Sequence, residues 1–175
     1  MSEDTLSFGS APHLLMLGLL LFARGADFLS TWVATPNLVL EGNPLAKKMG
    51  WKIGALVNLA LCFALSFWTT TALVVVTASL LVAAHNFHAA WLMRSMGEEA
   101  YRQWFAGRVA ETPPLLHLLC LFGETGLTAL VGAGVIYWSA MDSCAFAIGA
   151  GMIAYALIVL LYSMLSLWRL RRGMG

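Results

Sequence analysis

The chain has 175 residues and a formal net charge of +1, and 60% of its residues are hydrophobic while only 11% are charged. A soluble domain of this size uses fewer apolar residues, so the composition excludes the ordinary soluble classes and indicates an integral membrane protein. The few basic residues stand in small groups, which argues against binding to nucleic acid. The N-terminus is acidic where a secretory signal would be basic, so the first apolar run is expected to be retained as a membrane span.

The apolar runs predict five membrane-spanning helices, since each crossing needs about 20 mainly apolar residues. The first run ends at Thr35-Pro36-Asn37. The run from Ile53 to Trp91 is too long for one crossing, so a turn is expected at the polar stretch that begins at Trp68. The predicted fold is an all-α bundle forming a single membrane domain over residues 1–175, with spans at residues 13–34, 53–68, 72–94, 115–138 and 145–168.

The basic residues of the loops predict the orientation of this bundle. Five spans place nine of the ten Lys and Arg residues on one side of the membrane, which fits the excess of positive charge found in cytoplasmic loops. The N-terminus is therefore expected outside and the C-terminus in the cytoplasm, in a multi-pass protein of a prokaryotic inner membrane. The nine residues are Lys47, Lys48, Lys52, Arg94, Arg102, Arg108, Arg169, Arg171 and Arg172.

Two of the cytoplasmic connections have helical patterns of their own. Asn43 is a good residue before a helix start and Gly50 a good stop, which together predict a short surface helix. Aromatic and apolar residues recur at helical spacing within residues 97–110 and predict an amphipathic helix at the membrane interface. On its polar side, Glu98 and Arg102 have the spacing of an ion pair.

The tenth basic residue, Arg24, belongs to a set of ionisable residues inside the predicted spans. Counted along the helices, Arg24, Asp27, His85, His88 and Glu124 come to nearly the same depth. A charge at this depth costs roughly 3 kcal/mol, so these side chains should face inward and meet. Arg24 is then a buried counter-ion to the carboxylates, and a purely structural ion pair that sets helix register stays an alternative.

The residue types of this cluster can support metal chemistry. His85, His88, Asp27 and Glu124 supply the imidazole and carboxylate ligands that zinc, iron or manganese accepts. Such a metal could serve hydrolytic or redox chemistry, with Asp27, Glu124 and Glu41 as the candidate catalytic carboxylates. The supporting polar residues of this hypothesis are Thr31, Asn43, Asn86, His117 and Thr128.

Two other functions remain open from the sequence. In one, the chain is an accessory subunit that contacts other membrane subunits as well as the lipid bilayer, with a histidine that ligates haem or a pigment or a polar set that docks a partner helix. In the other, the carboxylates and histidines relay protons or cations across the membrane. Small residues at 123–134 and 145–156 favour close helix packing, within the chain or between chains.

One sequence pattern resembles a known family. Asp27 and Thr31, followed by Glu41, Asn43 and Pro44, resemble the D-x-x-x-T and E-x-N-P pattern of a family of small uncharacterised prokaryotic multi-pass membrane proteins. The resemblance covers about residues 20–55 and implies no particular activity. It implies that Asp27, Thr31, Glu41 and Asn43 belong to one functional or structural unit.

Overall fold

A computed structural model of the protein describes residues 5–141 and 143–172, and these residues form helices joined by short connections. Five of the helices are long and apolar enough to cross a membrane, and α4 is the exception among the helices of the described residues. The predicted all-α, five-span arrangement is confirmed at this level. The helices are α1 (Ala11–Ala34), α2 (Pro44–Leu65), α3 (Thr69–Met96), α4 (Glu98–Glu111), α5 (Pro114–Tyr137) and α6 (Cys144–Arg172).

The start of α2 contains the predicted short helix. The Asn43 side-chain oxygen accepts hydrogen bonds from the backbone N–H groups of Leu45, at 2.9 Å, and Ala46, at 3.4 Å, which caps the first turn. At Gly50 the backbone leaves the helical conformation with φ 67° and ψ −175°. A side chain is strained at this positive φ, so glycine allows the chain to change direction here before it continues toward Leu65.

The turn between α2 and α3 lies slightly earlier than the predicted position. The α2 helix ends at Leu65, and Ser66 closes it by donating from its hydroxyl to the Phe63 carbonyl at 2.7 Å. Trp68 lies in the turn, and α3 begins at Thr69. A serine can hydrogen-bond to the preceding turn of backbone, so Ser66 ends the helix before the threonine run begins.

The helices pack in the order α2, α1, α3, α6 and α5. The α3 helix packs along both α1 and α6, and α5 packs along α6, whereas α2 touches α1 only sparsely. The core between α1 and α3 is built around Leu20, Ala23 and Ala72, each fully buried. The small side chains of Ala23 and Ala72 let the two helices approach closely, and Leu20 fills the space between them.

Glycines set the approach of α6 to both of its neighbours. A Cβ atom on Gly132 of α5 would lie 2.7 Å from the Gly149 carbonyl of α6. A Cβ atom on Gly151 of α6 would lie 2.6 Å from Thr77 Cβ of α3. Neither position has room for a side chain, so these glycines serve close contacts within the chain, whereas a Cβ on Gly123 or Gly126 of α5 would meet nothing within 4 Å.

The connections that carry basic residues meet at one end of the bundle. The loop between α1 and α2 binds the start of α4 through Glu98, and α4 packs against α3 and α6. At the other end, the backbone N–H of Leu6 donates to the Phe67 carbonyl at 2.8 Å, which ties the N-terminal segment to the α2–α3 turn. The orientation of these two ends relative to the membrane stays a prediction from the basic residues.

Candidate functional site

A cavity of about 600 Å³ lies between α1, α2, α3 and α6 and extends to the loop between α1 and α2. It reaches from the level of Arg24 and Asn58, inside the helices, to Leu38 and Asn43 at the end that carries the basic connections. The sequence prediction named seven of its polar lining residues. These are Arg24, Asp27, Thr31, Glu41, Asn43, His85 and Asn86.

Arg24 joins three helices at the inner end of the cavity. Its Nη1 atom lies 2.8 Å from Asp27 Oδ2 on the same helix and 3.3 Å from Ser79 Oγ on α3. Its Nε atom donates to Asn58 Oδ1 on α2 at 2.7 Å. The predicted role of Arg24 as a counter-ion is seen for Asp27, and the neutral partners on α2 and α3 add specific donor–acceptor pairs to the ion pair.

A second polar contact joins α1 and α3 one turn farther along. Asn86 donates from Nδ2 to Ser30 Oγ at 3.2 Å and to Thr31 Oγ1 at 3.5 Å. Ser30 is fully buried, and its hydroxyl donates to the Asp27 carbonyl at 2.8 Å. These contacts fix the part of α1 that presents Asp27 and Thr31 to the cavity.

Glu41 adds a second carboxylate to the cavity wall, near the basic end. Its Oε1 atom accepts from the Asn43 backbone N–H at 2.7 Å. Burial raises the pKa of the Glu41 carboxyl above its usual 4.5, although the backbone N–H groups of Asn43 and Gly42 and the charge of Lys47 act in the opposite direction. Glu41 and Asp27 line the same cavity.

Glu98 holds the loop that forms the outer part of this wall. Its carboxylate accepts from Thr35 Oγ1 at 2.7 Å and from the backbone N–H groups of Asn37, at 2.8 Å, and Val39, at 3.0 Å. The predicted ion pair of Glu98 with Arg102 is wrong. The Glu98 carboxylate binds the loop between α1 and α2, and the Nη1 atom of Arg102 lies 3.8 Å from Glu99 Oε2 instead.

These hydrogen bonds also decide how the Glu98 carboxyl titrates. Its partial burial favours the neutral form, but the hydrogen bonds from Asn37, Thr35 and Val39 outweigh that effect and lower its pKa below 4.5. Glu98 is therefore ionised at neutral pH and holds the loop as a charged acceptor.

Glu124 belongs to a separate group that meets the cavity only through His85. The Nδ1 atom of His85 lies 3.0 Å from Glu124 Oε1, and the Tyr155 hydroxyl donates to the same oxygen at 3.4 Å. The side chains of His85 and Glu124 are 43% and 46% exposed. The three predicted catalytic carboxylates therefore do not share one site, because Asp27 and Glu41 line the cavity and Glu124 does not.

The predicted four-residue metal site is not assembled. The part of the chain that the structure describes contains no group of three or more His, Cys, Asp and Glu side chains placed to hold a metal ion. Asp27 is bound by Arg24, His85 by Glu124, and His88 is exposed and outside the cavity lining. The prediction grouped these residues because they come to the same depth along their helices. The direction in which each side chain points depends on the rotation of its helix, and these side chains face different neighbours.

The remaining predicted polar residues also lie outside the cavity lining. Thr128 donates from its hydroxyl to the Glu124 backbone carbonyl at 2.9 Å, a bond within its own helix. His117 is half-buried near the start of α5, and its Nδ1 atom is buried without a hydrogen-bond partner. Neither residue is brought to Asp27 or Glu41.

Several polar residues of the cavity were missed by the sequence prediction. Asn58 is the one amide within the apolar sequence of α2, and that isolation is a signal that could have marked it. The hydroxyl residues have weaker signals, because serine and tyrosine are common in membrane helices without a binding role. The missed residues are Thr35, Asn58, Ser79, Tyr162, Ser163 and Ser166.

Comparisons with protein-family models, with curated proteins and with solved structures found no match to this chain. The resemblance to the family with the D-x-x-x-T and E-x-N-P pattern therefore stays a prediction. The four residues that the pattern groups together, Asp27, Thr31, Glu41 and Asn43, do line the same cavity.

Proposed function

We propose that the chain is a multi-pass protein of the cell membrane that binds a small organic cation in this cavity and exchanges it for a proton. The observation that carries the proposal is the charge of the cavity wall. Asp27 and Glu41 contribute two carboxylates, whereas Arg24 contributes one guanidinium whose hydrogen bonds go to Asp27, Asn58 and Ser79. Lys47, whose charge also acts on Glu41, donates to the Val39 carbonyl at 3.4 Å and lies outside the cavity lining. Within the lining one carboxylate is therefore in excess, which favours either a proton or a bound cation because an unpaired charge is costly in a site of low dielectric constant.

The size and the apolar walls of the cavity favour an organic cation. About 600 Å³ is the volume of a site for a small molecule and is much larger than a bare ion needs. Phe28 and Trp51 form one aromatic wall, with ring centroids 5.1 Å apart, and Tyr162 contributes from α6. Aromatic faces attract ammonium groups, and the carboxylates supply the opposite charge.

The orientation of the bundle gives this exchange a direction. The basic residues of the connections at the loop end favour a cytoplasmic position for that end of the cavity, with the N-terminus outside. The ligand then enters beside Glu41 and moves inward toward Asp27 and Arg24. Asn43, Thr31 and Asn86 line the way between these charges.

Binding of benzyltrimethylammonium to the detergent-purified protein tests the proposal by titration calorimetry. We expect Glu41→Gln and Asp27→Asn each to weaken binding by about tenfold or more, because each removes a carboxylate that faces the cation. Glu111→Gln is the control, since Glu111 is an exposed carboxylate on α4 that pairs with Arg108. Phenylacetate, an anion of similar size, should not bind.

The pH dependence of the same titration has a predicted sign. Since the pKa of Glu41 is raised above 4.5, protons compete with the cation as pH falls through that raised pKa. Affinity for benzyltrimethylammonium should therefore be higher at pH 8 than at pH 5, and the difference should shrink in Glu41→Gln. Equal affinities of the wild-type protein, Glu41→Gln and Asp27→Asn would contradict the proposal.

A second candidate function, as a subunit of a larger membrane assembly, is favoured by one observation. His88 and Glu124 are exposed in the middle of long apolar helices, where polar groups usually meet a protein partner. Purification in mild detergent followed by light scattering would give the particle mass. A mass well above one chain, with other proteins attached, would support the subunit.

A further inference from the structure

We propose that the cation bound in this cavity is amphiphilic, with an ammonium head at the carboxylates and a single alkyl chain that leaves through a gap between α2 and α6 into the bilayer. This inference rests on the proposed binding of an organic cation and names the chemical class of that cation. The arrangement of the helices around the cavity carries it.

The first support is an opening in the ring of helices that surrounds the cavity. Residues of α1, α2, α3 and α6 all line the cavity, but the packing of these helices runs from α2 to α1, from α1 to α3 and from α3 to α6. Within the part of the chain that the structure describes, α2 and α6 face each other across the cavity without a packed interface. The four helices therefore form an open curve, and the gap between its two ends leaves one side of the cavity uncovered.

The gap lies at the level of the membrane interior. It is bounded at the loop end by Gly42, where an added Cβ atom would lie 3.9 Å from Tyr162 Cβ of α6. At the far end, the buried side chains of Leu20, Cys62 and Val76 join α1, α2 and α3. Between these contacts the gap opens sideways, toward the hydrocarbon of the bilayer.

The side chains at the gap suit an alkyl chain. Ile158 lines the cavity and is 39% exposed in the middle of α6, so it lies where the cavity wall meets the outer surface of the bundle. Ala154 and Val159 of α6 and Val75 and Val82 of α3 add further apolar lining. An alkyl chain in the gap would contact apolar side chains and lipid chains and would leave no methylene group in water.

The charged residues of the cavity select the head group. Asp27 and Glu41 supply two carboxylates, and all three side-chain nitrogen atoms of Arg24 are already hydrogen-bonded, to Asp27, Asn58 and Ser79. A phosphate group on the ligand would find no free guanidinium nitrogen, and the carboxylates would repel it. The head is therefore an ammonium group without a phosphate, which distinguishes this ligand from the phospholipids of the membrane.

Displacement of radiolabelled benzyltrimethylammonium from the purified protein tests the gap. Every titration uses one concentration of dodecyl maltoside, so the micelles take up the same share of a given competitor with each variant. Ile158→Trp places a larger side chain at the gap, and we expect it to weaken displacement by decyltrimethylammonium about tenfold more than displacement by tetramethylammonium. Leu157→Trp is the matched control and should change neither, because Leu157 is exposed on α6 outside the cavity lining.

Two measurements on the wild-type protein test the chemical class without a substitution. Decylphosphocholine, which carries the same ammonium head behind a phosphate, should displace benzyltrimethylammonium at least about tenfold more weakly than decyltrimethylammonium does. A decyltrimethylammonium analogue with a photoreactive diazirine at the end of its chain should label α2 and α6 beside the gap. Excess benzyltrimethylammonium should prevent that labelling, and this result decides the position of the chain even if Ile158→Trp does not fold.

Three results would overturn the inference while leaving cation binding intact. The first is an equal effect of Ile158→Trp on the long and the short competitor, and the second is displacement by decylphosphocholine as strong as by decyltrimethylammonium. The third is labelling by the diazirine that avoids α2 and α6 or persists in excess benzyltrimethylammonium. Failure of the wild-type protein to bind benzyltrimethylammonium would instead refute the proposed function itself.

Discussion

Arg24 shows how one charged residue can be accommodated within an apolar helix. Its side chain is 30% exposed, and its guanidinium binds Asp27 on its own helix, Asn58 on α2 and Ser79 on α3. The pair with Asp27 could be predicted from their spacing of three residues. The partners on α2 and α3 could not, because they depend on how those helices are rotated against α1.

Replacement of Arg24 should destabilise the bundle. Arg24→Met leaves the Asp27 carboxylate, which is 17% exposed, without its charged partner, and we expect a loss of roughly 2 kcal/mol in the free energy of unfolding. The double variant Arg24→Met/Asp27→Leu should recover part of this loss, since no lone charge remains. Arg108→Met, which breaks an exposed pair, should change stability by less than about 0.5 kcal/mol. Unfolding in mixed micelles measures all three.

Glu98 gives the loop between α1 and α2 a pH-dependent attachment. Because hydrogen bonds lower its folded pKa below 4.5, its contribution to stability is complete above pH 4.5 and is lost as pH falls through the folded pKa. Glu98→Gln should cost about 1 kcal/mol at pH 7. It should also remove this part of the acid sensitivity in a thermal unfolding series. Glu99→Gln is the control, and an equal effect of the two variants would contradict the assigned role of Glu98.

At the scale of the helices, the sequence predicted the helix bounds well and the helix contacts poorly. The predicted first span and α1 both end at Ala34, and Gly50 interrupts α2 as its sequence indicated. These features depend on local signals such as apolar length, capping side chains and glycine. Local signals do not predict contacts between helices, as His88 illustrates. Its spacing from His85 places both residues on α3 but does not show which neighbouring helix each one contacts.

The glycine contacts of α6 lead to a prediction about helix packing. Gly132→Ala places a Cβ atom against the Gly149 carbonyl, so α5 must move away from α6, and we expect a loss of about 2 kcal/mol in the free energy of unfolding. Gly123→Ala is the matched control on the same helix, because its added Cβ meets nothing within 4 Å. A gain of helix propensity should make that control neutral or slightly stabilising. Similar stability of the two variants would contradict the close α5–α6 contact.

At the scale of the whole molecule, the cavity could be predicted only in outline. The sequence brought Asp27, Thr31, Glu41 and Asn43 together through a pattern, and the structure adds that α2 and α6 complete the wall around them. Glu124 and Asp27 were grouped because they come to the same depth along their helices. Depth does not tell which neighbouring helix each side chain faces, and Glu124 lies outside the cavity that Asp27 lines. The helices pack in the order α2, α1, α3, α6, α5, so the helix that carries Asp27 and the helix that carries Glu124 are not neighbours.

The orientation of the molecule can be tested at Cys144. This residue is exposed at the start of α6, on the side predicted to lie outside. With Cys62 and Cys120 replaced by serine, a membrane-impermeant maleimide should label Cys144 in intact spheroplasts. Ser95→Cys, in a chain otherwise free of cysteine, should be labelled only after the membrane is permeabilised, because Ser95 lies at the basic end. The reverse result would invert the predicted orientation.

The ion pair within α1 bears on the order in which the contacts of Arg24 can form. Asn58 and Ser79 follow Arg24 by 34 and 55 residues, so its partners on α2 and α3 come later in the chain than the first helix. Asp27 is only three residues away and belongs to the same helical turn, so Arg24 carries its counter-ion with it from the moment the helix forms. The charge of Arg24 is therefore already paired within α1, and its contacts with α2 and α3 add to that pair when the helices pack.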